Sequence, residues 1–263
     1  MRNFKYQYQH CLLPAGPVSI KSTSKLELKS RSPCSTISFI GTPEVILFGC
    51  GSVLNAYDHK LCSINGVAEV HSKPLAAVVM VPKTTDIFFI DSAGSVLSTV
   101  FGAFYDLSPQ SFTKTLFSVK VNAELTLAAN KNYLVVSNVK ASGKDDGHWL
   151  IYNRKSKSKR MYQLLRYYGS VRALKFHPDG DLIALTSHGH VCKCMLKDDG
   201  EPEHVWGWYG GATAICVDDK RGLVYAAGRH GQLYAIADGK RTAIDFSFVE
   251  FSFKVVILFG LGS

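Results

Sequence analysis

The strongest constraint on this 263-residue chain is a unit that recurs along it. The stretch "LAAVVMVPKTTDIFFIDSAGSVLS" (75 to 98) aligns without a gap on "ATAICVDDKRGLVYAAGRHGQLYA" (212 to 235), apolar on apolar, with a turn glycine in register. Each copy reads as an apolar strand, a polar turn, a second apolar strand, then a glycine that opens a third. The unit returns at "TISFIGTPEVILFGCGSVLNAY", "VRALKFHPDGDLIALTSHGHVCKC" and, more loosely, "LTLAANKNYLVVSNVKASGKDDGHWLIY". The marker glycines Gly51, Gly94, Gly147, Gly189 and Gly231 are separated by 43, 53, 42 and 42 residues, and the long interval holds the polar insert "KASGKDDG". About 40 to 45 residues is the length of four short strands, and such units bury their apolar faces only by stacking on one another.

Within one unit the physics is legible. In "VRALKFHPDGDLIAL", Val171, Ala173 and Lys175 alternate with Leu174 and Phe176, while Leu182 to Leu185 is a short buried run. "HPDG" supplies the proline and glycine of a tight turn, and Pro178 excludes a central strand at that point. Convincing amphipathic helical stretches are missing, so the expectation is an all-β chain. With 46% apolar residues the chain can bury a sizeable core. The N-terminus lacks an apolar run before a small-residue cleavage site, and no apolar stretch approaches the ~18 residues of a membrane span. A soluble intracellular protein with no membrane partner is expected.

These units resemble the WD-repeat β-propeller family over roughly residues 35 to 240, with "VRALKFHPDGDLIALTSHGHV" the nearest to its blade pattern. No unit carries the Trp-Asp dipeptide. The resemblance implies a single propeller over residues 1–263, with five blades in 35–240 and a partial sixth in 241–263. The sixth follows from "SFVEFSFKVVILFGLGS" (247 to 263), which matches "TISFIGTPEVILFGCGS" (36 to 52) at a shift of 211 residues. Residues 1–34 are either a basic segment or closing strands. "KYQYQHCL" (5 to 12) and "SKLELKS" (24 to 30) alternate like strands and would complete the last blade.

Seven cysteines stand without metal-site or redox spacing. Cys192 and Cys194 fall on one face of a strand, as small buried hydrophobes in a reducing compartment. The carboxylates of "KDDG" (144 to 147 and 197 to 200) and "DDK" (218 to 220) read as turn caps. His188, His190 and His230 sit at second turns of neighbouring blades, where solvation or backbone bonding is the expectation rather than a metal. No nucleophile, base and orienting acid can be nominated, so no enzyme activity, catalytic residue or cofactor is expected. Trp206 and Trp208 share one face of an outer strand and are assigned to packing between blades, with an exposed partner patch as the alternative.

Net charge is +9, which favours an acidic partner, nucleic acid being the usual one. The charge concentrates in "RKSKSKR" (154 to 160), placed in the loop before an outer strand and followed by "MYQLLRYYGS". Arg154, Lys155, Lys157, Lys159, Arg160 and Arg166 are the candidate RNA or partner contacts, since cations hold a phosphate backbone while neighbouring tyrosines offer stacking. A solvated loop or a nuclear localisation signal reads the same way.

A narrower resemblance lies in "TISFIGTPEVILFGCGSVL", and in the run "NYLVVSNVKASGKDDGHWLIYN", "SVRALKFHPDGDLIALT" and "TAICVDDKRGLVYAAGRHGQLYAI". Both are similar to the WD-repeat non-catalytic subunit of the tRNA guanine-N7 methyltransferase. That resemblance implies a scaffold in the nucleus, the cytoplasm or both. It would bind a catalytic methyltransferase subunit, which itself takes S-adenosylmethionine, and would help hold tRNA. The alternative from another class is an adaptor that binds only proteins.

Overall fold

In the computed structural model the described residues are 34–41, 44–58, 63–69, 73–81, 84–100, 114–120, 125–141, 144–162, 169–198, 201–229 and 232–244. They form five four-stranded antiparallel sheets, each a meander of consecutive strands. The first sheet holds β1 (Cys34–Gly41), β2 (Glu44–Cys50), β3 (Val53–Asp58) and β4 (Ser63–Glu69). The second holds β5 (Leu75–Met80), β6 (Asp86–Asp91), β7 (Ser95–Val100) and β8 (Lys114–Ser118). The third holds β9 (Leu127–Ala129), β10 (Tyr133–Ala141), β11 (Lys144–Asn153) and β12 (Lys159–Tyr162). The fourth holds β13 (Val171–Phe176), β14 (Leu182–Thr186), β15 (His190–Met195) and β16 (Glu203–Tyr209). The fifth holds β17 (Ala212–Asp218), β18 (Leu223–Gly228), β19 (Leu233–Ala237) and β20 (Lys240–Ile244). Successive first strands β1, β5, β9, β13 and β17 pack on one another in chain order. Five such blades, packed face to face around their first strands, make a β-propeller.

In the second, third and fourth blades the second strand is buried on both faces, which is why it reads as a continuous apolar run. Leu134 and Val136 face the second blade, packing with Phe88, Ile90 and Val96. Tyr133 and Val135 face the fourth, packing with Val171, Leu174 and Leu182. One blade further on, Leu182 and Ala184 point back to the third blade while Ile183 and Leu185 point forward to Val224 and Ala226 of the fifth. Period two therefore splits one run between two seams. Each fully buried Leu, Ile or Val there contributes roughly 1.5–3 kcal/mol. Cys192 and Cys194 are buried free thiols in the seam between the third and fourth blades. The neighbouring Cys194 and burial push the Cys192 thiol well up, so it stays protonated as a small hydrophobe.

Simple alternation fails at one recurring place. The register slips between Cys34/Thr36, Leu75/Ala77, Val171/Ala173 and Ala212/Ala214, a bulge at the start of the first strand in four blades. Because of it Val171 and Leu174, three apart, face the same seam, and Ala173 faces the opposite one. The alternation expected for 171–176 thus holds only beyond the bulge.

Six of the eight residues of the insert "KASGKDDG" lie in strands. β10 ends at Ala141 and β11 begins at Lys144, so the extra residues lengthen both strands and place Gly147 inside β11 rather than at a turn. β20 carries the fifth blade on to Ile244, past residue 240. The segments 5–12, 24–30 and 247–263, to which ring closure and a sixth blade were assigned, lie outside the described residues.

Candidate functional site

The blades are fastened by a repeated backbone latch at the turn between second and third strands. Gly51 accepts a hydrogen bond from Leu75 N at 2.7 Å and Gly189 from Ala212 N at 3.0 Å, each donor the first residue of the next blade's first strand, while Gly94 accepts from Val119 N at 2.9 Å, next to the end of β8 in its own blade. All three glycines have positive φ, at 60°, 87° and 80°. At Gly51 and Gly189 the marker of the repeat is therefore the residue that turns the chain and offers its carbonyl to the next blade. Side chains cap the same turn. Asp91 Oδ1 accepts from Ala93 N at 2.9 Å and Ser95 N at 2.8 Å, and Thr186 Oγ1 accepts from His190 N at 3.2 Å.

The third blade has no glycine at that point, and Asn138 takes over. It has φ 56° and sits in a bulge where β10 slips between Val136 and Val139 against β11. Its Nδ2 donates to Val171 O at 2.6 Å, and its Oδ1 accepts from Val171 N at 2.9 Å. The side-chain amide imitates a peptide and pairs with the first residue of β13. Sequence reasoning passed over Asn138, and the signal was available. An asparagine in an apolar strand run, just where the glycine spacing breaks, is one of the few residue types that tolerates left-handed backbone.

The basic cluster lies at the opposite end of the third blade. Asn153 closes β11, and its Oδ1 accepts from Lys155 N at 2.9 Å and Ser156 N at 3.0 Å. Lys157 N donates to Asn153 O at 2.9 Å, and Asn153 N donates to Ser158 O at 3.0 Å, which makes a tight hairpin into β12. Lys159 and Arg160 are thus in the outer strand, not in the loop. Arg166 lies outside the described residues.

The six candidates are not equivalent. Arg154 is a seam residue. Its guanidinium pairs with Asp86 of the second blade, donates to Asn130 O at 2.7 Å and lies 5.0 Å from the Phe88 ring centre. Only 17% of its side chain is exposed. Lys159 Nζ stands 5.4 Å from the centre of the Phe117 ring, also on the second blade. Lys155, Lys157 and Arg160 are exposed. Exposed Lys131 joins them from the neighbouring 130–132 turn, which is tied in by Arg154 N donating to Asn132 O at 2.8 Å. Sequence spacing separates Lys131 from the cluster; strand pairing brings it alongside. What a ligand would meet is a rigid turn presenting Lys131, Lys155 and Lys157, with Arg160 beside it in the outer strand.

Lys157 itself has φ 62°, which a lysine adopts at a cost of roughly 1 kcal/mol. Lys157→Gly is expected to raise stability by up to about 1 kcal/mol while removing one cation. Urea denaturation checks this, through a higher midpoint at unchanged slope.

Other polar clusters hold blades together. His177 Nε2 lies 2.9 Å from Gly222 O of the fifth blade, and His177 Nδ1 lies 2.7 Å from Asp179 Oδ1. Lys193 pairs with Asp179 and stands 3.3 Å from Asp181. Burial works to raise the Asp179 carboxyl, but the bonds from Lys193, the Asp181 amide and His177 outweigh it and hold it below the usual range. Burial likewise works to lower Lys193, and its two carboxylate partners raise it overall. Asp218 caps its turn as expected, accepting from Lys220 N at 2.9 Å and Arg221 N at 3.2 Å. Asp198 instead accepts from Tyr133 O–H and from Asn153 Nδ2, tying the third blade to the fourth.

Trp206 and Trp208 are half-buried against the seam of the fourth and fifth blades. Trp208 lies 5.0 Å from the Tyr234 ring, with Arg241 over both. His188 is exposed, and burial and the His188 charge both lower His190, favouring its neutral form. His230 lies outside the described residues. Among the described residues no group of three or more His, Cys, Asp or Glu is placed to hold a metal ion. No helix among them is long and apolar enough to cross a membrane.

The fold and its seams define a β-propeller, and the solved structures it is similar to are of that kind. The β-propeller domain of Cps50 (Swd1) from Myceliophteria thermophila matches with TM-score 0.59 at 11% identity, over 81% of this chain and 72% of that one. Hsv2 from Kluyveromyces lactis matches with TM-score 0.55 at 13% identity, over 81% and 63%. The computationally designed protein Ika8 matches with TM-score 0.54 at 16% identity, over 81% and 62%. The chain thus spans less than two thirds of the length of Hsv2 and Ika8. No protein-family model matches the sequence, and no curated protein does.

Proposed function

We propose that this chain is a non-catalytic scaffold of WD-repeat type, whose rigid blades present surfaces to other macromolecules. The observation that carries this reading is the use of polar side chains. Arg154, Asn138, Tyr133, Asp198 and His177 are all engaged in holding one blade to the next. The exposed cations of the third-blade hairpin form a recognition surface suited to a polyanion.

The particular polyanion in this reading is tRNA. It rests on the sequence resemblance to the non-catalytic subunit of the guanine-N7 methyltransferase, and the scaffold would hold tRNA beside a catalytic methyltransferase subunit in the nucleus, the cytoplasm or both. The competing reading is a protein-only adaptor, for which the same turn would meet an acidic protein surface.

The test is tRNA binding across a salt series with Lys131, Lys155 and Lys157 changed to Ala together. Arg154 is left in place because its loss would loosen the seam with the second blade. The expected result is weaker binding, with the log–log salt slope reduced by about two to three and folding unchanged. Unaltered affinity and slope would remove the hairpin from the RNA surface. Absence of tRNA binding in the unmodified chain at low salt would leave the adaptor reading.

A further inference from the structure

The fifth blade repeats the fourth but lacks its cover. Strand pairing sets Ile183 and Leu185 of β14 in the same positions as Tyr225 and Ala227 of β18. Ala173 corresponds to Ala214, and Val191 to Leu233. In the fourth blade Ile183, Leu185 and Val191 are at most 1% exposed because they lie under the fifth blade. In the fifth blade Tyr225, Ala227 and Leu233 are only half-buried, and Ala214 and Cys216 are exposed. The opposite face of the same sheet, with Val224, Ala226 and Ile236, is fully packed on the fourth blade. One face of the fifth sheet is therefore an apolar surface with the composition of a blade seam and only part of its burial.

We infer that this face is the docking surface for residues 247–263 of the same chain. Val256-Ile257-Leu258-Phe259-Gly260 repeats Val45-Ile46-Leu47-Phe48-Gly49, which forms the core of β2. In the second, third and fourth blades the second strand is the one buried on both faces. Glycine also stands where the latch needs it, because Gly262 falls at the position of Gly51. The inference does not depend on the proposed function.

The experiment is photo-crosslinking from the open face in the full chain, with Tyr225 replaced by p-benzoylphenylalanine. That aromatic is tolerated at a half-buried position. The expected product is an intramolecular crosslink to the tryptic peptide 255–263, whose yield is unchanged across about a tenfold dilution. Capture of a second copy, with yield falling on dilution, would assign the face to self-association and overturn the proposal. Crosslinking to another segment of the chain, or none at all, would overturn it too. Deleting residues 247–263 is the second arm. It should abolish the crosslink and speed amide exchange in β18 and β19, while unchanged exchange would mean that the segment does not cover the face.

Discussion

Replacing Gly189 with alanine is expected to cost about 2 to 5 kcal/mol, a large part of the stability of an ordinary domain. Two effects add. At φ +80° an L side chain pays roughly 1–2 kcal/mol. The new Cβ would also lie 2.6 Å from Gly211 Cα and 2.8 Å from Ala212 N, and both are backbone atoms. Neither can rotate aside, so the connection between β16 and β17 must shift, stretching the latch from Ala212 N to Gly189 O; overpacking of this kind adds about 1–3 kcal/mol. Gly180 is the control, with φ +98° and nothing within 4 Å of the point a methyl group would occupy. Gly180→Ala should lose only the backbone part, roughly 1–2 kcal/mol. Urea midpoints of the two variants measure the difference. Equal losses would mean that close approach at the seam is not what requires glycine at position 189.

That residue also shows what the sequence discloses. The blade period is legible because turn glycines and apolar runs are local features, fixed by backbone sterics and by burial of the second strand on both faces. The seams are less so. The bulge at Val171/Ala173 is a pairing event between two strands, and nothing within "VRALKF" marks it. Arg154 reads as one more cation in "RKSKSKR", because its partners Asp86 and Phe88 lie a blade away. Lys131 reads as an isolated lysine for the converse reason. Charge is a property of the sequence, whereas availability of that charge depends on which neighbours the fold supplies. Gly147 shows the limit of counting: the spacing rule found a glycine, but the insert had moved it into a strand, and the latch had passed to a different chemical group.

Asn138 therefore carries the second large effect. It is 1% exposed, and both polar groups of its amide pair with the backbone of Val171. Removing it strands a buried N–H and a buried carbonyl, at about 1–3 kcal/mol each. Asn138→Gly isolates that loss, because glycine keeps the left-handed backbone, and about 2–6 kcal/mol is expected. Asn138→Ala should be worse by roughly 1 kcal/mol, the added strain at φ 56°. Asn138→Asp distinguishes the two bonds. Its carboxylate can still accept from Val171 N but sets a negative oxygen against Val171 O, where asparagine donates at 2.6 Å. Burial and that carbonyl would raise the carboxyl above its unfolded value, so the deficit relative to the unmodified chain is small below about pH 4 and grows as pH rises through the raised value. Protonated, the acid can donate to Val171 O as the amide does. Denaturation of the variant and the parent side by side across that range reads this directly. A flat difference, or a loss below about 0.5 kcal/mol for Asn138→Gly, would mean that the third and fourth blades are held by their apolar seam alone.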